Sequence, residues 1–159
     1  MANDTHIKFD GVDGESTHDG HKGEIDVSSW SWGVSNHSSS AAGGGSGKGK
    51  AVPHEFMFTH NYDKASPVLK KHCASGKHFK EVVLTSSKAG EGQLDFLKKT
   101  FKEVFITSIS IGGSSGGDIH EAVTFSFTDI ELEYKPQDGK GGLGGAVKFG
   151  WDVAKVLTR

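Results

Sequence analysis

Apolar and polar residues alternate along most of this chain, and the alternation breaks at glycine-rich punctuation. A strand sends successive side chains to opposite faces, so a period of two marks strands and a period near 3.6 marks helices. Ile7-Lys8-Phe9 starts a short strand, closed by the turn dipeptides Asp10-Gly11 and Asp13-Gly14. Residues 14–23 are polar, contain His18 and His21, and read as a loop. In Glu24 to Val34, Trp30, Trp32 and Val34 share one face while Ser29 and Ser31 take the other. Ile25 and Val27 have the opposite parity, so burying all five on one side requires an extra residue near Ser28 and Ser29. That predicts a long, curved strand carrying a β-bulge.

Ser35 to Lys50 follows no period and is rich in glycine and serine, which predicts a long protruding loop. Alternation resumes from about Val52 to His60, with Phe56 and Phe58 on one face. Ser66-Pro67 reads as an N-cap and first helical position, and Gly76 as the C-terminal cap glycine, so a helix is expected over Pro67 to Ser75. Val68, Leu69 and Cys73 form its apolar side. His78 to Lys88 is a strand, with Val82 and Leu84 facing one way and Phe79 and Val83 the other. Ala89 to Gly92 turns the chain.

Residues 93–111 carry two signals. Leu94, Leu97, Phe101, Val104 and Phe105 fit a helical stripe, yet the segment is rich in β-formers and lacks a capping box. Periodicity alone favours a helix to Glu103 and then a strand. His120 to Tyr134 repeats the phase slip of the tryptophan segment: Val123, Phe125 and Phe127 share one parity, Ile130, Leu132 and Tyr134 the other, with the slip near Thr128-Asp129. Pro136 to Gly145 is a turn region, and Ala146 to Leu157, with Val147, Phe149 and Trp151, is the last strand. Long strands with mid-strand slips favour a closed or strongly coiled sheet.

Composition narrows the function. A chain of 159 residues buries about two-thirds of the surface its unfolded form exposes, as one domain. Its 23 glycines suit a turn-rich β protein. A net charge of -2 without a basic stripe argues against nucleic acid as the partner. Cys73 is the single cysteine, so no internal disulfide forms. The N-terminus lacks the basic and apolar regions of a signal peptide, and no run approaches a membrane span.

Candidate chemistry is thin. Gly43 to Lys48 imitates a phosphate loop, but Ala42 and Gly49 occupy places that need glycine and a hydroxyl residue. None of the nine histidines has the spacing of a metal site, so they are expected at the surface. Cys73, at the negative end of its helix, is expected as a small core residue. No Gly-x-Ser-x-Gly elbow is present. Trp30 and Trp32 could stack on sugar rings, which makes a carbohydrate-binding β-domain the alternative reading, but burial in the core is preferred.

Several motifs resemble one family over essentially the whole chain. Glu24-Ile25-Asp26-Val27 with Ser29-Trp30-Ser31-Trp32-Gly33, the glycine-rich loop after it, Gly76-Lys77-His78, Lys102-Glu103-Val104 and Lys148-Phe149-Gly150-Trp151 look like the haemolysin-coregulated protein family, Hcp. The resemblance implies a mainly β protein: an antiparallel β-barrel with one flanking α-helix, similar to phage tail-tube subunits. It implies six subunits in a ring, rings stacked into the inner tube of a type VI secretion system, and effectors in the lumen. A contractile sheath and a spike tip protein would be the other partners. It implies no enzyme activity, cofactor or metal, and assembly in the cytoplasm before export without a signal peptide. It also makes residues 93–111 part of a long strand.

On this reading Ser38, Gly44, Gly45, Gly47, Lys48 and Lys50 belong to a ring-stacking loop, and Ser29 and Ser31 face the lumen. Trp30, Trp32, Phe125, Phe127 and Trp151 anchor the core. With the chain ending at Arg159, no C-terminal toxin domain of the kind carried by extended members is expected.

Overall fold

A computed structural model describes residues 3–36, 51–88, 94–140 and 142–159. The described strands are β1 (Asn3–Phe9), β2 (Ile25–Val27), β3 (Ser29–Ser31), β4 (Val34–Asn36), β5 (Ala51–Pro53), β6 (Phe56–Asn61), β7 (Phe79–Lys88), β8 (Asp95–Gly112), β9 (His120–Ser126), β10 (Asp129–Tyr134), β11 (Val147–Asp152) and β12 (Leu157–Thr158). One helix, α1 (Ser66–Ser75), lies between β6 and β7.

Every strand pairing among them is antiparallel. One stretch of sheet runs β2-β1-β7-β8-β10-β11-β12, and a second runs from the far half of β8 through β9 and β6 to β3. The two stretches share β8. They meet again through the chain at Ser28, which separates β2 from β3. The wall therefore turns two corners, and the second is made by covalent continuity rather than by a ladder. Between the two layers pack Ile7, Phe9, Val82, Leu84 and Phe101 from one side and Phe56, Phe58, Ile106, Val123 and Phe125 from the other.

The expected bulge at Ser28 is a larger event than one inserted residue. β2 pairs with β1, whereas Ser28 donates its N–H to Thr59 O at 2.8 Å and β3 pairs with β6. The segment is two short strands that exchange sheets, not one long strand with a bulge. Nor does the tryptophan face continue: after Ser31 the chain leaves the ladder, and Val34 is 53 % exposed. The second slip has the same form. β9 and β10 are separated at Phe127-Thr128, and β9 pairs with β6 and the far half of β8 while β10 pairs with the near half and β11.

The helix to Glu103 that periodicity alone favours does not form, and the long strand that the family resemblance implies does: Asp95 to Gly112 is one strand of 18 residues. Phe101 pairs with Val82 on one side and Ile130 on the other, and those ladders hold the segment extended. Its inward positions are Lys99 and Phe101 before Glu103 and Val104 and Ile106 after it, so parity flips there. Glu103 has φ +52°, the left-handed region that a bulge residue can occupy. A strand with one phase flip places apolar residues at 97, 101 and 104, which are also helical intervals.

Other boundaries shift for local reasons. β5 and β6 are separate, broken at His54-Glu55, and the final segment is β11 and β12 joined through Val156 at φ +56°. Gly76 caps α1 at φ +72°, its N–H reaching His72 O at 3.0 Å. The N-cap is Ala65, without a side-chain bond; Ser66 Oγ instead accepts Asp63 N–H at 3.1 Å. Leu69 is the helix's buried apolar residue, Cys73 is half-buried and Val68 is exposed. Phe79 is buried against Phe9 at 5.0 Å and stacked under His72 at 4.2 Å.

Candidate functional site

The residues that flank the glycine-serine tract in sequence form a small platform. β4 and β5 form a separate two-stranded ribbon with Val34 opposite Pro53 and Asn36 opposite Ala51. All six residues assigned to the stacking loop, from Ser38 to Lys50, lie outside the described residues, as does the phosphate-loop imitation. The ribbon is tied to the wall at its root. Trp32 Nε1 donates to His54 O at 2.8 Å, and His54 N donates to Gly33 O at 2.9 Å. Val34 and Val52 are exposed on the ribbon itself.

Below the ribbon, Trp30 and Trp32 make a clamp. Both are half-buried and pack against the core rather than inside it. Trp30 stacks on Phe56 with ring centroids 5.9 Å apart, and Trp32 lies 6.2 Å from Phe127. The Lys99 ammonium sits 4.6 Å from the Trp30 ring and 5.3 Å from Trp32, a cation–π arrangement that receives the charge of a lysine only 7 % exposed. Burial pushes the Lys99 amine below its ordinary value. Trp30 is thus packed against Phe56 and Lys99, and Trp32 against Lys99 and Phe127. Phe125, Phe127 and Trp151 are buried.

Ser29 and Ser31 are both exposed, on the opposite side of β3 from Trp30. Ser29 Oγ and Thr59 Oγ1 are hydrogen-bonded across the strand pair at 2.6 Å. On the outer face of β8, β10 and β11, charges of both signs surround an open groove of about 380 Å³ lined by Lys98, Glu131, Glu133, Lys148, Phe149 and Arg159. Arg159 forks onto Asp129 at 2.7 and 3.0 Å and reaches Glu131 at 2.8 Å, and its hydrogen bond holds the Glu131 carboxyl below the usual range. Val147, Phe149, Val156 and Leu157 leave apolar surface on the β11–β12 edge.

The expectation of surface histidines fails for three of them. His6, His21 and His60 are buried, and each finds a carboxylate partner: Asp26, Glu24 with Asp95, and Glu121 respectively. Among the described residues no three His, Cys, Asp or Glu side chains converge to hold a metal ion. Lys99 and Glu121 escaped the sequence reading. The signal was available, since both are charged residues on the inward parity of their strands, between Leu97 and Phe101 and before Val123.

Fold and site define a mostly β protein of antiparallel sheets with one helix among the described residues. Residues 6–134 match the family described as "Type VI secretion system effector, Hcp". Protein hcp1 of Pseudomonas aeruginosa is 46 % identical over 156 residues, 96 % of both chains. A solved type six secretion system protein superposes with a TM-score of 0.93 at 32 % identity, covering 99 % of this chain and all of that one. Hcp1 from Salmonella typhimurium superposes with a TM-score of 0.83 at 37 % identity over the full length of both. The chain belongs to the Hcp family of the type VI secretion system.

Proposed function

We propose that this chain is a single-domain structural subunit of the type VI inner tube, exported within that tube and acting by assembly rather than catalysis. Six copies close into a ring, rings stack, and the lumen carries effectors; the sheath surrounds the tube and a spike protein caps it. Subunits assemble in the cytoplasm and leave within the tube. The observation that carries this reading is identity of 46 % to Protein hcp1 over 156 residues, 96 % of both chains. Head-to-tail contacts close into a ring when their rotation divides the circle, and stacking of rings is open-ended. The β11–β12 edge, with its exposed apolar side chains, is the sheet surface that needs covering by a neighbour.

In this proposal Ser38, Gly44, Gly45, Gly47, Lys48 and Lys50 reach the next ring from the β4–β5 ribbon. Removing residues 38–50 is expected to leave rings in negative-stain images and abolish tubes; normal polymerisation of the shortened protein would refute the stacking role. Ser29 and Ser31 are proposed to face the lumen, which agrees with their exposure opposite the tryptophan clamp. Ser31→Trp is expected to stop effector protection in a co-expression assay while rings still form, and unimpaired protection would remove Ser31 from the lumen.

A further inference from the structure

Three imidazoles with no part in the assembly reading lie together. His6 comes from β1, and His18 and His21 from the loop between β1 and β2. Ring centroids are 4.7 Å apart for His6–His18, 4.8 Å for His6–His21 and 5.7 Å for His18–His21. His6 and His21 stack within 6° of parallel. Four carboxylates face the cluster, from every element around it. Asp4 of β1 is 3.5 Å from His18 Nε2, and Asp26 of β2 is 3.0 Å from His6 Nε2. Glu24, at the end of the loop, and Asp95, at the start of β8, are each 2.9 Å from His21.

His21 has one carboxylate on each ring nitrogen: Glu24 Oε2 at Nδ1 and Asp95 Oδ1 at Nε2. An ionised carboxylate only accepts, so both nitrogens donate and His21 is an imidazolium. Ser87 of β7 donates to the same Asp95 oxygen at 2.5 Å, fixing that carboxylate. His6 is 2 % exposed, and its Nδ1 is buried without a hydrogen-bond partner. One proton is therefore clamped on His21, and the stacked His6 stays neutral. Since no three donors converge for a metal among the described residues, the ligand that this arrangement handles is the proton.

We propose that the His6–His18–His21 cluster is an acid-operated latch, which holds residues 10–24 against β1 and β8 at neutral pH and releases them when a second proton is taken up. The loop's other anchors lie toward its start: Asp10 N–H donates to Glu81 O at 3.0 Å, Val12 is buried in the core, and Glu15 accepts Lys64 N–H at 2.9 Å. The loop's own bonds are mostly internal, such as Gly14 N–H to Gly23 O at 2.7 Å and Gly23 N–H to Ser16 O at 2.9 Å. Its tie to β8 is the His21–Asp95 bond.

The direction follows from linkage. Burial, and then the charge on His21, push His6 below its ordinary value of 6.5, with Asp26 opposing. A group depressed in the closed form favours closure above its open-form value, and closure is lost as pH falls from 6.5 through the lowered value. His21 runs the other way. Burial opposes its charge, but the bonds to Asp95 and Glu24 win and raise it, so its clamp is complete below 6.5 and fades as pH rises through the raised value. Burial tends to raise Asp95, but Ser87 and His21 hold it below 3.8, so its pairing fails only in stronger acid.

Hydrogen–deuterium exchange of the full chain, read by mass spectrometry at pH 7 and pH 5 and corrected for intrinsic exchange, tests the latch. Peptides covering residues 10–24 are expected to lose protection at pH 5 relative to pH 7, while β6 and β9 keep theirs. His6→Phe preserves the ring stack without a titrating group and is expected to keep the loop closed at pH 5. Asp95→Ala removes the tie to β8 and is expected to open the loop already at pH 7. Equal loop protection in the native chain at the two pH values overturns the latch, whichever variants fold. A pH 5 loss in His6→Phe as large as in the native chain overturns the role of His6.

Discussion

Phe101→Ala is expected to cost about 3–5 kcal/mol of folding stability, the largest effect of any single aromatic truncation in this protein. Phe101 is fully buried at the centre of β8 and is ringed by other aromatics. Its ring centroid lies 4.9 Å from Phe56, 5.0 Å from Phe125 and 5.0 Å from Phe127. These partners come from β6, from β9 and from the corner after β9, so one side chain joins both layers of the wall. Truncation removes apolar burial and leaves a cavity among rings that are themselves held by strand ladders and cannot collapse into it. Chemical denaturation at fixed protomer concentration measures the loss, because assembly shifts apparent stability by mass action. Phe101→Leu, which keeps much of the volume, is expected to lose clearly less. A loss below about 1 kcal/mol for the alanine variant would show that the two layers do not depend on this ring.

Glu121→Ala is expected to cost a similar amount, about 3–5 kcal/mol, for an electrostatic reason. Glu121 is 1 % exposed on β9, where its parity points inward. It accepts from His60 Nε2 at 2.9 Å and from Lys70 Nζ of α1, and Lys70 also lies 4.8 Å over the Tyr62 ring. Removing the carboxylate strands a fully buried histidine and an ammonium together. Asp63 adds a further constraint at this place: burial pushes its carboxyl up, against the pull of His60 3.9 Å away. Glu121→Gln keeps an acceptor for His60 and is expected to lose less. Lys70→Ala is expected to lose least, because Lys70 is about a third exposed and water screens it. Thermal and denaturant unfolding of the three variants gives the order; Lys70→Ala costing as much as Glu121→Ala would contradict this account.

Both residues show where sequence reading was strong and where it stopped. The alternation of Val123, Phe125 and Phe127 placed these side chains on one face, and the structure buries all three. The same alternation also placed Glu121 inward. A carboxylate in an apolar register is unreadable until a partner is known, and its partners are 51 and 61 residues away in sequence. His60 and His6 were likewise invisible as buried groups, because their carboxylates arrive from other strands. Lys99 is the same case: its cation–π partners are Trp30 on β3 of the opposite layer and Trp32 just beyond that strand.

The phase slips were legible and their meaning was not. A parity flip at Ser28 and another near Thr128 were present in the order of residues, and both mark real discontinuities. Alternation reports which side a residue faces, not which strand it meets, so it could not distinguish a bulge from a change of sheet. A third flip, at Glu103, was misread as helical periodicity. Only the ladders to β7, β10 and β9 decide between the two, and those contacts are long-range.

By itself the sequence determined the class of this protein, because local physics carries that information. Period-two alternation specified strands, and Pro67 and Gly76 bounded the one described helix. The tertiary structure decided everything that depends on which segments meet. It split the tryptophan segment between two sheets at Ser28 and set Trp30 and Trp32 over Lys99. It also brought His6, His18 and His21 into one cluster and buried Glu121 between His60 and Lys70. These outcomes are energies of desolvated charges and of ring contacts, and such energies are fixed only when strands distant in the chain become neighbours.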